Sequence, residues 1–456
     1  MAVNGKVGRA MRAFSVSACL VWIAGCGGGG GDTSATGNTG GTGGTGGTGG
    51  TTPPVLQKTH SVLGWVSHAE PLADGKVVLA VQLNGFSPTP EELVTESATI
   101  GLAVWDPNSG KLAAAARLSL PRPELDRYLG AASLDRRFGY NVTDIRALPD
   151  GGLVLQADLF GPASVAETDE GKLHLIVRLD AALKLQWSHV WRTQQPGRLG
   201  LRSDGIDSGG VRYRYDGTLV SAASLSAWTN TELQGGRAVY GGFGGGTIVR
   251  DVAGNNEFRA VPAVIYASAP DGQGGAWLAG SAGNQLALAR LDTQGNVIKA
   301  VRLDGTTPDG WRDLVTAGDA VYTVGPRSNA AGGNDWMVCR FTGALVLTRC
   351  VVGPDGQSFT NTSLRVNAQG TRLYVARAIR SQNPLVVLDA NLDVVAGYGA
   401  TASSIAANAS ALDLAVTGTV SVPVPDLASR RLALGVSVET VDPAAIDADA
   451  LGMMVR

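Results

Sequence analysis

Histidine and familiar catalytic motifs are scarce in this chain of 456 residues. Only four histidines occur, and none lies at metal-ligand spacing from a cysteine, aspartate or glutamate. Neither Gly-x-Ser-x-Gly nor His-Glu-x-x-His appears, so the sequence offers no known nucleophile or zinc motif. We therefore expect a protein that is not an enzyme, although catalytic groups that lie far apart in the sequence would escape this reasoning.

Clustered positive charge is also missing. The formal net charge is −2, and removal of residues 1–25, which contain three positive charges and no negative ones, changes it to −5. Binding to nucleic acid requires clusters of lysine and arginine, so nucleic acid is excluded as the expected partner. After residue 25, no apolar run approaches the roughly 20 residues that a membrane-spanning helix needs.

The first residues have the three parts of an export signal. Lys6, Arg9 and Arg12 precede a short apolar stretch at 13–23, and the sequence IAGC follows at 23–26. This ending resembles the lipobox of bacterial lipoproteins. The resemblance implies cleavage before Cys26 and a lipid, including palmitate, on that cysteine. Because residue 27 is glycine rather than aspartate, it also implies the outer membrane, facing either the periplasm or the cell surface.

Residues 27–54 are almost entirely glycine and threonine and end in two prolines. Such a segment buries too little apolar surface to offset its chain entropy, so we expect it to be disordered. As a flexible coil it would span about 30 Å. We therefore predict three parts: a signal peptide at 1–25, a lipidated cysteine and linker at 26–57, and one folded domain at 58–456.

The folded part contains a repeated pattern of a turn glycine followed by a short apolar strand. The pattern predicts β-structure throughout, and its glycines are Gly75, Gly151, Gly217, Gly274, Gly318 and Gly370. A degraded seventh copy lies at 411–418. Several copies continue into a second hairpin, as at 288–292 and 385–389, which gives about four strands in each repeat.

Four short strands per repeat are typical of a β-propeller blade. We therefore predict an all-β fold with a single β-propeller of seven four-stranded blades over about residues 58–445, with six or eight blades left open. The ring should close when a strand near the mature N-terminus joins the last blade, because closure protects sheet edges.

Two of the copies resemble a known bacterial repeat. The sequences DGQGGAWLAG at 271–280 and GDAVYTVG at 318–325, each with the hairpin that follows it, are similar to the SBBP-type β-propeller repeat. The match is good over 264–352 and fair at 143–192 and 363–400. The resemblance implies a propeller in a secreted or envelope protein, and it implies no activity.

Two polar insertions, at 121–142 and 194–215, are the predicted binding loops. Loops on a rigid scaffold often carry function, and arginine and tyrosine are favoured at interfaces. We expect them to contact a protein or polysaccharide partner, with Arg127, Tyr128, Arg136, Tyr213 and Arg214 as the contact residues. A solvated loop with local ion pairs is an equally good interpretation.

Few other residues suggest a ligand or a covalent link. Oxygen-bearing side chains at 204–208 leave calcium open, although the spacing is not that of an EF-hand, and no other cofactor is expected. Cys339 and Cys350 flank a predicted hairpin turn near Thr342, so we predict a disulfide between them. A tight turn would leave the two cysteines offset rather than directly opposite.

A propeller enzyme is the alternative function: a hydrolase, a lyase or a quinoprotein-like dehydrogenase with its site in the central channel. The turn VWDPNSGKL at 104–112 resembles one found in quinoprotein-like propellers. A central cluster of carboxylates, histidine or metal would favour an enzyme. A channel lined by small residues would favour binding.

Overall fold

A computed structural model describes nineteen stretches of the chain, all of them in the compact unit Thr52–Arg456. They are residues 64–83, 99–109, 111–120, 139–160, 173–192, 197–208, 211–222, 229–241, 246–252, 255–261, 263–283, 285–304, 310–330, 333–357, 362–377, 385–397, 402–414, 417–420 and 431–443. These residues form β-strands and turns and contain no α-helix. In this part of the chain, no helix is long and apolar enough to cross a membrane.

Seven antiparallel sheets follow one another along the chain, each built from four consecutive strands. The first contains β1 (Gly64–Pro71), β2 (Val77–Leu83), β3 (Thr99–Asp106) and β4 (Lys111–Ser119). The second contains β5 (Gly139–Ala147), β6 (Leu153–Phe160), β7 (Leu173–Leu179) and β8 (Leu185–Arg192). The third contains β9 (Leu199–Arg202), β10 (Gly205–Ser208), β11 (Val211–Arg214) and β12 (Leu219–Ala222).

The remaining four sheets repeat this arrangement. The fourth contains β13 (Thr229–Glu232), β14 (Ala238–Gly241), β15 (Gly246–Val252) and β16 (Asn255–Val261). The fifth contains β17 (Val264–Pro270), β18 (Ala276–Ala282), β19 (Gln285–Leu291) and β20 (Val297–Leu303). The sixth contains β21 (Asp313–Ala317), β22 (Ala320–Ser328), β23 (Asn334–Thr342) and β24 (Leu347–Gln357). The seventh contains β25 (Thr362–Val366), β26 (Arg372–Arg377), β27 (Leu385–Asp389) and β28 (Val394–Gly397).

The C-terminal segment, residues 403–441, adds a fifth strand to five of these sheets. Its strands are β29 (Ser403–Ile405), β30 (Ala409–Ala411), β31 (Thr417–Val420), β32 (Arg431–Leu432) and β33 (Ser437–Val441). They pair in that order with β24, β20, β16, β8 and β4. The segment therefore runs back from the sixth sheet to the first along their outer edges.

The seven first strands contact one another in sequence. β1 contacts β5, and the contacts continue through β9, β13, β17, β21 and β25, which in turn contacts β1. Apolar clusters lie between neighbouring sheets, and one of them joins Tyr374 and Leu385 of the seventh sheet to Val66 and Leu79 of the first. Between the third and fourth sheets the described contacts include polar ones: the hydroxyl of Tyr240 donates to Asp207 (2.7 Å) and accepts from Arg202 (2.8 Å).

The turns explain why the sequence repeat was visible. Gly75, Gly151, Gly274, Gly318 and Gly370 lie between the first two strands of their sheets, and all five have positive φ. In the turn after β19, Oδ1 of Asp292 accepts hydrogen bonds from the backbone N–H groups of Gln294 and Asn296, both at 2.8 Å, and so stabilises the turn.

Two expectations about the repeat were wrong. Gly217 lies between β11 and β12 rather than between the first two strands of a sheet, and residues 411–418 belong to the C-terminal segment. The fourth sheet has its first turn at Gly235 and Gly236 and was not recognised in the sequence. The predicted closing strand near the mature N-terminus would precede residue 64 and lies outside the described residues, within which the last sheet has only its own four strands.

Candidate binding site

A cavity of about 890 Å³ lies among the seven first strands. Each strand contributes one residue of an inner set to its wall: Glu70, Arg146, Leu201, Thr231, Ala269, Val315 and Arg365. The three charged members belong to three neighbouring sheets, the seventh, first and second. The other four members are small, apolar or hydroxyl-bearing, so the cavity has one charged wall and one neutral wall.

Arg365 is the centre of the charged wall, and it is buried. Its Nε donates to Oε2 of Glu70 at 2.8 Å, its Nη1 donates to Oδ2 of Asp313 at 2.8 Å, and its Nη2 donates to Asp144. These carboxylates come from β1, β21 and β5, which are far apart in the sequence. One guanidinium group therefore ties the seventh sheet to the sixth, first and second.

Two further arginines complete the charge balance. Nη1 of Arg198 lies 2.6 Å from Oδ1 of Asp313 as an ion pair without hydrogen-bond alignment, and Nε of Arg146 donates to Oδ2 of Asp144 at 3.2 Å. Three arginines thus face three carboxylates in one buried network. A buried charge without such partners would cost several kcal/mol, so the matching is required for the fold.

The carboxylates also bond to the backbone of the next strand. Glu70 accepts from the N–H of Ala147 at 2.9 Å, Asp144 from Leu199 at 3.0 Å, and Asp313 from Leu364 at 2.8 Å. The inner edge of each first strand has no strand beside it, and buried backbone N–H groups need partners. Side chains of the preceding strand therefore supply those partners and join the sheets.

The network fixes the charge states of its members. Burial alone would raise the pKa of Asp313, but Arg198 and Arg365 outweigh burial and lower it to about 2. Burial likewise opposes ionisation of Asp144, yet Arg146 and Arg365 bring its pKa below the usual value. Burial raises the pKa of Glu70 more than Arg365 lowers it. Burial lowers the pKa of His68, which lies on β1 beside this network, to about 3.

The neutral wall is formed mainly by the third, fourth and fifth sheets. At its rim, Glu232 accepts hydrogen bonds from the backbone N–H of Ser203 (2.9 Å) and from its hydroxyl (3.4 Å). The amide of Asn230 reaches the carbonyl of Arg198 at 3.2 Å, which is sterically allowed because Gly200 has no side chain where that amide lies. No aromatic side chain belongs to the described lining of the cavity.

A second polar network lies between the second and third sheets. Nδ1 of His174 is 3.0 Å from Oδ1 of Asp158, and its Nε2 is 3.1 Å from Oγ of Ser208. The order carboxylate, imidazole, hydroxyl matches that of a serine hydrolase triad. The hydroxyl of Ser208 is also 2.7 Å from Oε1 of Gln156, and both His174 and Ser208 are buried. These buried side chains therefore also hold the second sheet against the third.

The structure corrects the predicted loop at 194–215. Residues 199–202, 205–208 and 211–214 form β9, β10 and β11 of the third sheet, and residues 139–142 of the other predicted loop belong to β5. Tyr213 is 2% exposed and stacks on His189, so its ring offers no area to a partner. Arg214 is exposed at the end of β11. Arg127, Tyr128 and Arg136 lie outside the described residues, as does Cys26.

Calcium ligands do not come together at 204–208. Asp204 lies 3.3 Å from Arg212, whereas Asp207 is buried against Arg202 and Tyr240. Among the described residues, no three histidine, cysteine, aspartate or glutamate side chains are placed to hold a metal ion. The central carboxylates fit no metal either, because Arg365 occupies the position between them.

Cys339 and Cys350 form a disulfide between β23 and β24. They lie directly opposite each other, not offset, because β24 contains one extra residue where the register shifts between Arg340 and Phe341. Without that bulge, Cys339 would face Arg349.

Comparisons with known proteins give little beyond this geometry. No protein-family model matches the sequence, and no curated protein matches it. A protein of unknown function from Dyadobacter fermentans is 12% identical over 80% of this chain and 98% of its own, with a TM-score of 0.38. A Hadza microbial sialidase is 11% identical over 76% and 66%, with a TM-score of 0.35. The extracellular domain of a putative hybrid two-component system from B. thetaiotaomicron is 12% identical over 76% and 61%, with a TM-score of 0.25. These TM-scores are too low to carry an argument.

Proposed function

We propose that the chain is a lipid-anchored protein of the bacterial outer membrane, facing the periplasm or the cell surface. We propose further that its seven sheets form a β-propeller that binds a protein or polysaccharide partner without catalysing a reaction. Seven successive four-stranded sheets, whose first strands contact one another in order and whose last contacts the first, support a propeller. The partner would enter the cavity between those strands.

The observation that carries the binding function is the pairing of charges at the cavity. Each central carboxylate faces an arginine, and a pKa of about 2 keeps Asp313 ionised, so it is a poor proton donor or acceptor near neutral pH. A pKa of about 3 makes His68 a weak base. A general acid or base needs a pKa near the working pH, so Asp313 and His68 suit a rigid binding site better than a catalytic one.

The test is binding of the full chain to arrayed envelope polysaccharides and proteins, before and after the cavity is filled. Ala269→Trp places a large ring in the neutral wall of the cavity. Ile298→Trp, at a side chain that is 57% exposed on β20, adds the same ring outside it. We expect Ala269→Trp to weaken binding at least roughly tenfold and Ile298→Trp to leave it unchanged. Equal binding by both variants would exclude the cavity as the site.

Arg127, Tyr128, Arg136 and Arg214 remain proposed contacts with the same partner. Arginine supplies charge-assisted hydrogen bonds, and tyrosine supplies contact area at low entropy cost. Truncating the four side chains together to alanine should weaken capture of the same partner. Unchanged capture would leave the cavity as the whole site.

The lipid anchor has its own test. The chain should label with palmitate in a bacterial host, and Cys26→Ala should abolish the label, because the thiol of Cys26 is the proposed acceptor. Labelling that persists in the Cys26→Ala variant would remove the anchor from the proposal.

A hydrolase is the second candidate, favoured by the chain of contacts from Asp158 through His174 to Ser208. An active serine should react with a fluorophosphonate probe, and Ser208→Ala should abolish that reaction. No labelling of the wild-type chain would remove this candidate. The contact between Ser208 and Gln156 favours that outcome, because a hydroxyl hydrogen directed at Gln156 is not directed at His174.

A further inference from the structure

Arg146 differs from every other charged residue of the inner set in how its hydrogen-bond donors are used. All three nitrogens of Arg365 donate to carboxylates, and both oxygens of Glu70 accept. Arg146 donates only from Nε, to Asp144, and its side chain is 24% exposed. Among the described residues, nothing accepts a hydrogen bond from its Nη1 or Nη2.

The position of Arg146 directs this unused capacity to the cavity. It lies on β5 and lines the cavity wall, and its Nε donates to Asp144 on the same strand. Two N–H donors in a fixed planar fork match the two oxygens of a carboxylate. Glu232, a charged side chain on the described lining that is not part of the inner set, already accepts from Ser203 with both oxygens. Arg146 is therefore the cationic contact open to a ligand on the described wall.

We propose that Arg146 binds the carboxylate of an acidic saccharide, such as a uronic acid unit of an envelope polysaccharide, inside the cavity. The inference rests on the proposed binding function and names its ligand class. The carboxylate pairs with Nη1 and Nη2 of Arg146. The sugar hydroxyls face the hydroxyl and amide side chains of the neutral wall, which include Thr231, Ser268, Gln234 and Gln273.

A saccharide fits these walls better than an extended peptide does. A peptide would bind a strand edge through free backbone N–H groups. Four N–H groups along the inner strands already donate to side chains, those of Ala147, Leu199, Ser268 and Leu364, and the N–H of Ser203 in the turn after β9 does the same. The cavity therefore offers side chains rather than a strand edge. Its volume of about 890 Å³ lies within the range of small-ligand sites.

The test compares the binding of an acidic ligand with that of its uncharged analogue. Titration calorimetry of the full chain uses trigalacturonate and its methyl ester, which keeps the hydroxyls and removes the charge. Arg146→Lys keeps a positive charge beside Asp144 but loses the planar fork. Arg302→Lys makes the same change on β20, where Arg302 is 44% exposed and does not line the cavity.

We expect the acid to bind the wild-type chain at least roughly tenfold more tightly than the ester. Arg146→Lys should remove most of that preference, and Arg302→Lys should keep it. Equal binding of acid and ester, or no binding of either, overturns the inference even if Arg146→Lys fails to fold. If the two ligands bind equally and Ala269→Trp still abolishes binding, the proposed cavity function survives without the acidic specificity.

Discussion

At the scale of single residues, Arg365 joins four sheets of the described structure. It is buried and bonds at once to Glu70, Asp144 and Asp313, which belong to three other sheets. Removing one partner from a buried ionic network costs more stability than replacing the whole network with apolar side chains, because the remaining charges stay buried with too few partners. The three carboxylates would then repel one another at the centre of the proposed propeller.

Replacing Arg365 with methionine should therefore lower the free energy of unfolding by about 3–5 kcal/mol. Urea denaturation followed by tryptophan fluorescence measures the change. Arg302→Met is the control, because Arg302 and Asp304 form an exposed pair at 3.8 Å whose loss should cost less than about 1 kcal/mol. Equal losses in the two variants would show that the central network does not stabilise the fold.

His68 should make the protein sensitive to mild acid. Its pKa is about 3 in the folded chain, against an ordinary value of 6.5, because burial opposes its charged form. Arg365 and Arg198 also lower this pKa, whereas Asp144 and Asp313 raise it. The unfolded chain therefore binds a proton below pH 6.5 while the folded chain does not. The free energy of unfolding should fall by up to about 1.4 kcal/mol for each pH unit below that value.

His68→Phe removes this titration, so the stability difference between the variant and the wild type should change steadily in favour of the variant from pH 6.5 to 4.5. The raised pKa of Glu70 acts in the opposite direction but is present in both proteins and largely cancels. Asp313 loses its contribution only below its ordinary pKa of 3.8. A difference that stays constant with pH would contradict the assignment.

None of these central residues could be recognised in the sequence. Glu70 and Arg365 are 295 positions apart, and each lies on a strand whose sequence has no unusual feature. The one available signal was a charged residue near the end of a first strand, just before a turn glycine, as in Glu70 with Gly75 and Arg146 with Gly151. That pattern predicts an inward position only once the ring of strands is known.

At the scale of elements, the sequence predicted hairpins well where glycine adopts a positive φ in the turn or aspartate accepts hydrogen bonds from the turn backbone. The turn glycines with positive φ and the capping carboxylate of Asp292 mark real turns. Prediction failed in the third and fourth sheets, where several strands have only four residues and polar side chains such as Arg202 and Asp207 are buried by pairing with each other. Short strands with buried polar residues resemble loops, which is why 194–215 was misassigned.

The C-terminal segment was missed for a related reason, since its strands have two to five residues and every residue of β29, β30, β32 and β33 is exposed or half-buried. It covers the outer edges of β4, β8, β16, β20 and β24. Uncovered edges present free N–H and C=O groups to other chains. A stop codon at residue 403 should therefore convert the protein into dimers or larger aggregates.

Size-exclusion chromatography with light scattering measures this change. A stop codon at residue 444, which leaves β33 intact, is the control and should keep the association state of the full chain. If the chain that ends at residue 402 has the same association state as the control, the segment does not protect those edges.

At the scale of the whole molecule, the proposed propeller depends on contact between its last and first sheets. That contact has two components in the structure. The apolar cluster with Tyr374 and Val66 joins the two sheets, and Arg365 donates to Glu70 across the same boundary. Within the described residues, no strand is shared between these two sheets, so the described closure is made by side chains.

The most direct measurement of this closure is a pulsed electron paramagnetic resonance distance between spin labels on the first turns of the two sheets. Asp74→Cys and Gln369→Cys place the labels at exposed positions after β1 and β25. Packed sheets lie roughly 10 Å apart, so a closed ring predicts one narrow distribution of short distances. A broad distribution, or one centred beyond the reach of neighbouring sheets, would contradict the ring and with it the cavity on which the proposed function depends.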